Sequence, residues 1–248
     1  VMMAGGNHDS SHERSIDIYD PLNDSWKARI DMGGRRHHPS TVLLPDGRVL
    51  VVAGHDASGG EENGGIIKTG YALYLNVKRG EITLTQGTAR MPEIRGYHSV
   101  TLLLPDGRVL VGGGSDDGRP GSEKPNFRYY YPDYMGKNRP RLAYAPSTLK
   151  LGTTFDLLWT GGSGGPAEVV LVGLGSMTHS FDFNQRHVQL PVTSAPDLEF
   201  CGEGQTCIPW AKVKISSKAE WNPPGHYLLF VLDKNRVPSV GKIVKIIR

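Results

Sequence analysis

His38-Pro-Ser-Thr-Val-Leu-Leu-Pro-Asp-Gly-Arg-Val-Leu-Val-Val-Ala-Gly54 returns 60 residues later as His98-Ser-Val-Thr-Leu-Leu-Leu-Pro-Asp-Gly-Arg-Val-Leu-Val-Gly-Gly-Gly114. Each copy reads strand, turn, strand. In the turn, Pro presets φ, Asp bonds its own backbone and Gly takes positive φ. The small residues that close each copy allow close backbone approach where strands crowd. A truncated third copy opens the chain, with residues 1–6 aligning on 49–54. It is followed by Ser15-Ile-Asp-Ile-Tyr-Asp-Pro-Leu-Asn-Asp-Ser-Trp26: an alternating strand, a turn, and an aromatic that opens the next strand. After the first full copy, residues 66–77 and 81–85 occupy the same places. A unit of 48 to 60 residues with four short strands and a Gly-Gly end is the signature of a propeller blade. The spacing predicts that the Pro-Asp-Gly hairpins lie in the middle of four-stranded antiparallel blades.

The pattern changes at Asn138-Arg-Pro-Arg-Leu, where the Gly-Gly period stops. Residues 155–159, 168–173, 187–190, 211–215, 226–232 and 242–247 are short candidate strands with frequent turns, the pattern of an immunoglobulin-type β-sandwich. Nowhere does a helix of four turns suggest itself. The expected fold is therefore all-β: propeller blades over residues 1–138, then a sandwich over 139–248 packed on the propeller face. The Gly pair, the Tyr-Asp-Pro turn and the Trp of the first half resemble kelch repeats. Closed propellers use about four to eight blades. Two hairpin repeats and a truncated copy leave the propeller incomplete as given, so further sequence or another chain is expected to complete it.

Composition narrows the function classes. Gly 32 and Pro 17 in 248 residues disfavour helix, while 38% hydrophobic residues suffice for a packed core and exclude wholesale disorder. No apolar run approaches the ~18 residues of a membrane span. A dispersed net charge of +3 argues against a nucleic-acid partner. The opening Val-Met-Met-Ala-Gly-Gly, already inside an apolar run, reads as a processed or partial chain. Cys201 and Cys207 flank a Gly-rich turn; the spacing suits a small-loop disulfide formed in an oxidising compartment, with two free thiols as the alternative. The sequon Asn23-Asp24-Ser25 is compatible with secretion. Gly161-Gly-Ser-Gly-Gly165 matches a nucleophile elbow in letters, but a strand pattern follows where the elbow needs a helix. Asp116 and Asp117 read as a solvated acidic turn.

Nine histidines are many for this length, and three sites stand at repeat-equivalent or strand-end positions: His37-His38, Tyr97-His98, and His179 in Gly175-Ser-Met-Thr-His-Ser180. The segment 95–114 resembles the copper-site segment of galactose oxidase and glyoxal oxidase, the copper radical oxidases. Pro223-Pro-Gly-His-Tyr-Leu-Leu-Phe-Val-Leu-Asp233, with Val237-Pro-Ser-Val240, is similar to the last strands of that family's C-terminal sandwich. Met177-Thr-His-Ser180 resembles its Thr-His segment. The resemblance implies that Tyr97 is an axial, catalytic tyrosine that takes the substrate's hydroxyl proton, and that Tyr97, His98 and His179 are copper ligands. Imidazole and phenolate donors in a tetragonal set suit Cu(II). The implied protein is secreted and oxidises primary alcohols or aldehydes with O2, giving hydrogen peroxide. His37 departs from the pattern, standing where the family carries its radical tyrosine; it is a further candidate ligand. The other reading is a non-catalytic carbohydrate-binding or structural extracellular module that kept the scaffold and lost the radical chemistry. One geometric tension follows from strand chemistry: neighbours in a flat strand point to opposite faces, so Tyr97 and His98 share a metal only if the chain bends there.

Overall fold

A computed structural model describes residues 1–8, 11–56, 71–78, 81–115, 121–163, 168–194, 199–200 and 208–248. Apart from a two-stranded pairing of Asn7–His8 with Ser11–His12, the described residues of the N-terminal half build three antiparallel sheets. The first runs β1 (Met2–Ala4), β2 (Ser15–Asp20), β3 (Ser25–Asp31). The second runs β4 (His37–Leu43), β5 (Val49–His55), β6 (Tyr71–Lys78), β7 (Glu81–Arg90). The third runs β8 (Tyr97–Leu103), β9 (Val109–Ser115), β10 (Phe127–Tyr130). Strand order follows chain order in each, so that every strand pairs with its neighbour along the chain. One 3-10 turn, Asp133–Gly136, is the helical structure of the described residues. Among them no helix is long and apolar enough to cross a membrane.

The repeat is a repeat of conformation. In both copies a three-residue loop closes with Gly47 at φ 80° or Gly107 at φ 89°. The Gly nitrogens donate to Leu44 and Leu104 at 3.0 and 2.9 Å. Asp46 and Asp106 accept from the Arg48 and Arg108 amides. This is the type I turn with a left-handed third residue. One expectation is corrected. The turns join the edge strand of a sheet to its neighbour, and do not lie mid-sheet, because the repeat's first strand is itself the edge. The third sheet has three strands among the described residues, and these sheets do not close a ring.

The C-terminal half is a sandwich. One sheet has the order β11 (Arg141–Tyr144), β13 (Thr154–Thr160), β19 (Ile208–Lys214), β18 (Val192–Ser194). The other runs β12 (Thr148–Lys150), β21 (Lys242–Ile247), β20 (Gly225–Leu232), β14 (Glu168–Gly173), β17 (His187–Leu190). A two-stranded ribbon, β15 (Met177–Thr178) and β16 (Phe181–Asp182), rises between β14 and β17. No sheet among the described residues mixes strands from the two sides of Arg139.

Packing explains the apolar run in β20. Tyr227, Leu229 and Val231 join Val169 and Leu171 of β14 in the sandwich core. Their alternates Leu228, Phe230, Leu232, Val170 and Val172 join a second core with Val42, Leu50, Val52, Leu103, Val109 and Val111 from the repeat hairpins. A strand buried on both faces cannot alternate polar with apolar. The same alternation in β5 sends Leu50 and Val52 to this shared core and Val51 to a smaller one with Ile16, Leu73 and Leu75.

Candidate metal centre

His38 and His98 head their hairpins at φ 51° and 62°, and the residues facing them are left-handed too: Ala53 and Gly54 at 57° and 74°, Gly113 and Gly114 at 63° and 88°. Regular pairing brackets the bend, His37 with His55 and Pro39 with Ala53, Tyr97 with Ser115 and Ser99 with Gly113. This local reversal breaks the two-face alternation of a flat strand. Neighbouring rings therefore stack on one side: His37 on His38 at 3.7 Å and 25°, Tyr97 on His98 at 3.7 Å and 26°. The facing glycines are required. A Cβ on Gly54 would stand 2.7 Å from the His37 carbonyl oxygen, and one on Gly114 would stand 2.9 Å from Ser99 Cβ. The bend thus resolves the strand-alternation tension in both copies.

His179 comes from the other half of the chain. In the ribbon β15–β16, Thr178 pairs with Phe181, leaving His179 and Ser180 as the two-residue loop at φ 51° and 61°. Positive φ at both central residues is what a type I′ turn demands, and Asn-Gly is the usual filling. A His-Ser filling is strained by about 1–2 kcal/mol per residue, and strain of this kind concentrates at functional sites. The base of the ribbon is held by buried Asp182, whose Oδ1 accepts from Ser176 N and Asn184 N at 2.8 and 2.9 Å. Asn184 Nδ2 donates in turn to the Leu174 carbonyl at 2.7 Å.

So presented, His98 Nε2 and His179 Nε2 stand 2.9 Å apart, 81 residues distant in sequence, with ring planes at 86°. Tyr97 lies 5.9 Å from the His179 ring, centroid to centroid, nearly perpendicular to it. The far nitrogen of His179, Nδ1, is bonded to Thr178 Oγ1 at 2.8 Å. Both imidazoles are exposed, so ions have access. The second stacked pair is close by, with the His38 ring 5.4 Å from that of Tyr97. His37 itself stacks on His38 and meets the His55 ring edge-on.

The sequence reading missed His55. It is 1% exposed, its ring 5.7 Å from His37 and 6.3 Å from His38. Counting register back from the Pro-Asp-Gly turn places it opposite His37, a signal present in the chain. Its fit against Gly96, where a Cβ would meet its ring at 2.9 Å, carries no such signal. Cys201, Cys207, Asp116 and Asp117 lie outside the described residues.

The donor set fits one ion of the Cu(II) class. Two nitrogens 2.9 Å apart match two donors each about 2 Å from a common ion and at right angles across it. Nδ1 of a ligating histidine ordinarily carries its proton to an oxygen acceptor, and Thr178 supplies one. Among the described residues, no three His, Cys, Asp or Glu side chains gather as a metal cage; what converges is two imidazoles beside a phenol.

Comparison with known proteins shows what the chain is similar to. Residues 139–246 match the family model described as galactose oxidase-like, early set domain. The chain is 25% identical over 221 residues to a galactose oxidase of Gibberella zeae, covering 86% of this chain and 29% of that protein. It is 29% identical over 240 residues to the aldehyde oxidase GLOX of Vitis pseudoreticulata, covering 88% and 42%. The chain therefore spans less than half the length of these relatives. A solved structure of a fungal alcohol oxidase of the AA5 family, in complex with copper, shares the fold with a TM-score of 0.73 at 17% identity, over 100% of this chain and 51% of that one.

Proposed function

This chain is a relative of galactose oxidase and the glyoxal oxidases; on that premise we propose that it carries the metal-binding portion of a secreted copper-dependent oxidase. The proposed ligands are Tyr97, His98 and His179, and the proposed substrates are primary alcohols or aldehydes with O2. Kelch-type blades over residues 1–138 and an early-set sandwich over 139–248 are the proposed division. The observation that carries the reading is the 2.9 Å approach of the His98 and His179 nitrogens from the two halves of the chain. Secretion is supported by the sequon Asn23-Asp24-Ser25, whose asparagine is exposed.

Copper would supply one-electron redox chemistry and polarise a bound oxygen. The chain's residues have separate tasks. Thr178 Oγ1 meets His179 Nδ1 at 2.8 Å, and in the tautomer that would ligate through Nε2 the hydroxyl accepts the Nδ1 proton and holds the ring in place. Stacking on His98 fixes the plane of the Tyr97 ring. With copper bound, Tyr97 would be held as a phenolate and would be the base for the substrate's hydroxyl proton. Overall, an alcohol yields two electrons and two protons to become an aldehyde, and O2 takes up two of each to become hydrogen peroxide; copper would hold one of those electrons, so the oxidase reading also requires a second one-electron group, which the resemblance assigns to a tyrosine where this chain has His37.

The second reading, a non-catalytic extracellular module, is favoured by His37. It stands where the resemblance calls for a redox-active tyrosine, and its partner in the stack is another imidazole. Copper EPR together with a peroxide assay separates the two. Nitrogen hyperfine structure that disappears in His179→Ala, with peroxide released from primary alcohols or aldehydes, supports the oxidase. The same EPR signal without peroxide supports the module. Absence of a copper signal from the full-length protein overturns both metal assignments.

A further inference from the structure

The two Pro-Asp-Gly turns lie at the opposite ends of their strands from the histidines, seven residues or roughly 20 Å away at the rise of a β-strand. Each is gripped by an arginine. Arg236 Nη2 donates to the Asp46 carbonyl at 2.6 Å, and Arg139 Nη1 donates to the repeat-equivalent Asp106 carbonyl at 2.7 Å. Each guanidinium also binds the C-terminal half. Arg236 pairs with Glu168, and Arg139 donates to Pro238 O at 2.7 Å and Ser239 O at 2.6 Å. The grip is close: a Cβ on Gly47 would stand 3.2 Å from Arg236 Nη2, and one on Gly107 would stand 3.0 Å from Arg139 Nη2. His187 adds a bond to Pro45 O at 3.1 Å, and the Gly241 amide adds one to Pro105 O at 2.7 Å. Arg139 and Arg236 are not themselves repeat-related, yet they meet equivalent atoms of the repeat.

From this geometry we infer that Arg139 is a positioning residue for the imidazole pair, because the turn it grips closes the hairpin that carries His98; Arg236 grips the hairpin that carries His37 and His38. Arg139 locks that hairpin onto the sandwich in the register at which His98 meets His179. The apolar core between the halves, with Val170, Leu228 and Phe230, supplies adhesion. Apolar adhesion is non-directional, so it resists separation far more than sliding. A planar guanidinium with several fixed donors resists sliding. Without it a hairpin can shift along the sheet, and His98 moves with its strand. The inference rests on the metal reading only for its copper readout.

Two measurements on the full-length protein test it. In the metal-free protein, imidazole 15N NMR reads the shared Nε2–H proton of His98 and His179. It is expected in the wild type, lost in Arg139→Gln, partly recovered in Arg139→Lys, which keeps one donor for Asp106, and kept in Arg236→Gln, whose turn belongs to the hairpin of His37 and His38. Cu(II) titration then reads affinity, expected to fall by about 2- to 30-fold in Arg139→Gln, the range for a residue that acts on a site from a distance. Leu157→Ala, a sandwich-core substitution remote from both turns, controls for stability; it should lower Tm yet keep the shared proton and the affinity. An Arg139→Gln variant that retains the shared proton overturns the inference, as does a Leu157→Ala variant that loses it equally. A wild type that shows the shared proton but takes up no Cu(II) overturns the metal reading and leaves the positioning role standing.

Discussion

At the scale of single residues, the site depends on conformations that most side chains avoid. His38, His98 and His179 all sit at positive φ. Histidine is among the residues that tolerate this region, and each gains a ring contact there that a flat strand would deny it. Thr178 is the smallest part of this machinery and the easiest to probe. Replacing its hydroxyl by a methyl, Thr178→Val, keeps the strand-forming shape and removes the acceptor for His179 Nδ1. Under the proposed reading, Cu(II) affinity should fall by about 10- to 100-fold, the effect of losing an outer partner of a ligating histidine. Thr178→Ser should bind within a few-fold of wild type. Competitive titration against a chelator of known affinity measures both.

At the scale of elements, β20 links the two cores, and its alternate residues can be separated by mutation. Phe230 is fully buried on the face toward the repeat hairpins, its ring against Gly241. Phe230→Ala should cost roughly 3–5 kcal/mol in denaturant unfolding, as large-to-small core changes do. The turn that follows β20 is organised by Asp233, 1% exposed. Its Oδ1 accepts from Asn235 N and Val237 N, and its Oδ2 from Ser163 N, each at 2.9 Å. Burial opposes the charge, but these N–H donors outweigh it and hold the carboxyl below the ordinary carboxylate range. A depressed folded-state pKa makes the contribution complete above the unfolded value, about 3.9. It is lost as pH falls through the lower folded value. In Tm measurements from pH 2 to 6, the gap between wild type and Asp233→Asn should be widest above pH ~4 and should narrow steadily below it.

At the scale of the whole molecule, one sheet of the sandwich serves two cores, so the halves are joined by packing, by two arginines, and at the site by facing imidazoles. An ion held by both His98 and His179 would bind the docked arrangement and not the unfolded chain. Ligand linkage then predicts a stabilisation of about 2.7 kcal/mol at a free Cu(II) concentration of 100 Kd. Thermal unfolding with and without Cu(II) should show a raised Tm in the wild type and no increase in His98→Ala or His179→Ala. An equal increase in those variants would place the ion elsewhere.

Local chemistry alone determined a good part of this. The Pro-Asp-Gly turns set hairpin register through residues in contact along the chain, so the equivalence of His38 and His98 is legible in the repeat itself. Strands 168–173, 187–190 and 242–247 are legible to the residue, because burial on one or both faces is written into composition. The short strands β11 and β12 are not, since three or four mostly exposed residues carry little pattern. The stacking of Tyr97 on His98 is also out of reach of local reading. The residue that bends is not a glycine; the bend is imposed by the glycines across the ladder, which admit a backbone that no propensity of His98 requires. The meeting of His98 with His179 is suggested by resemblance, and no spacing in the chain could establish it. It is set where the repeat hairpins seat on β14 and β20, by contacts between residues far apart in sequence, and such contacts exist only once the two halves have docked.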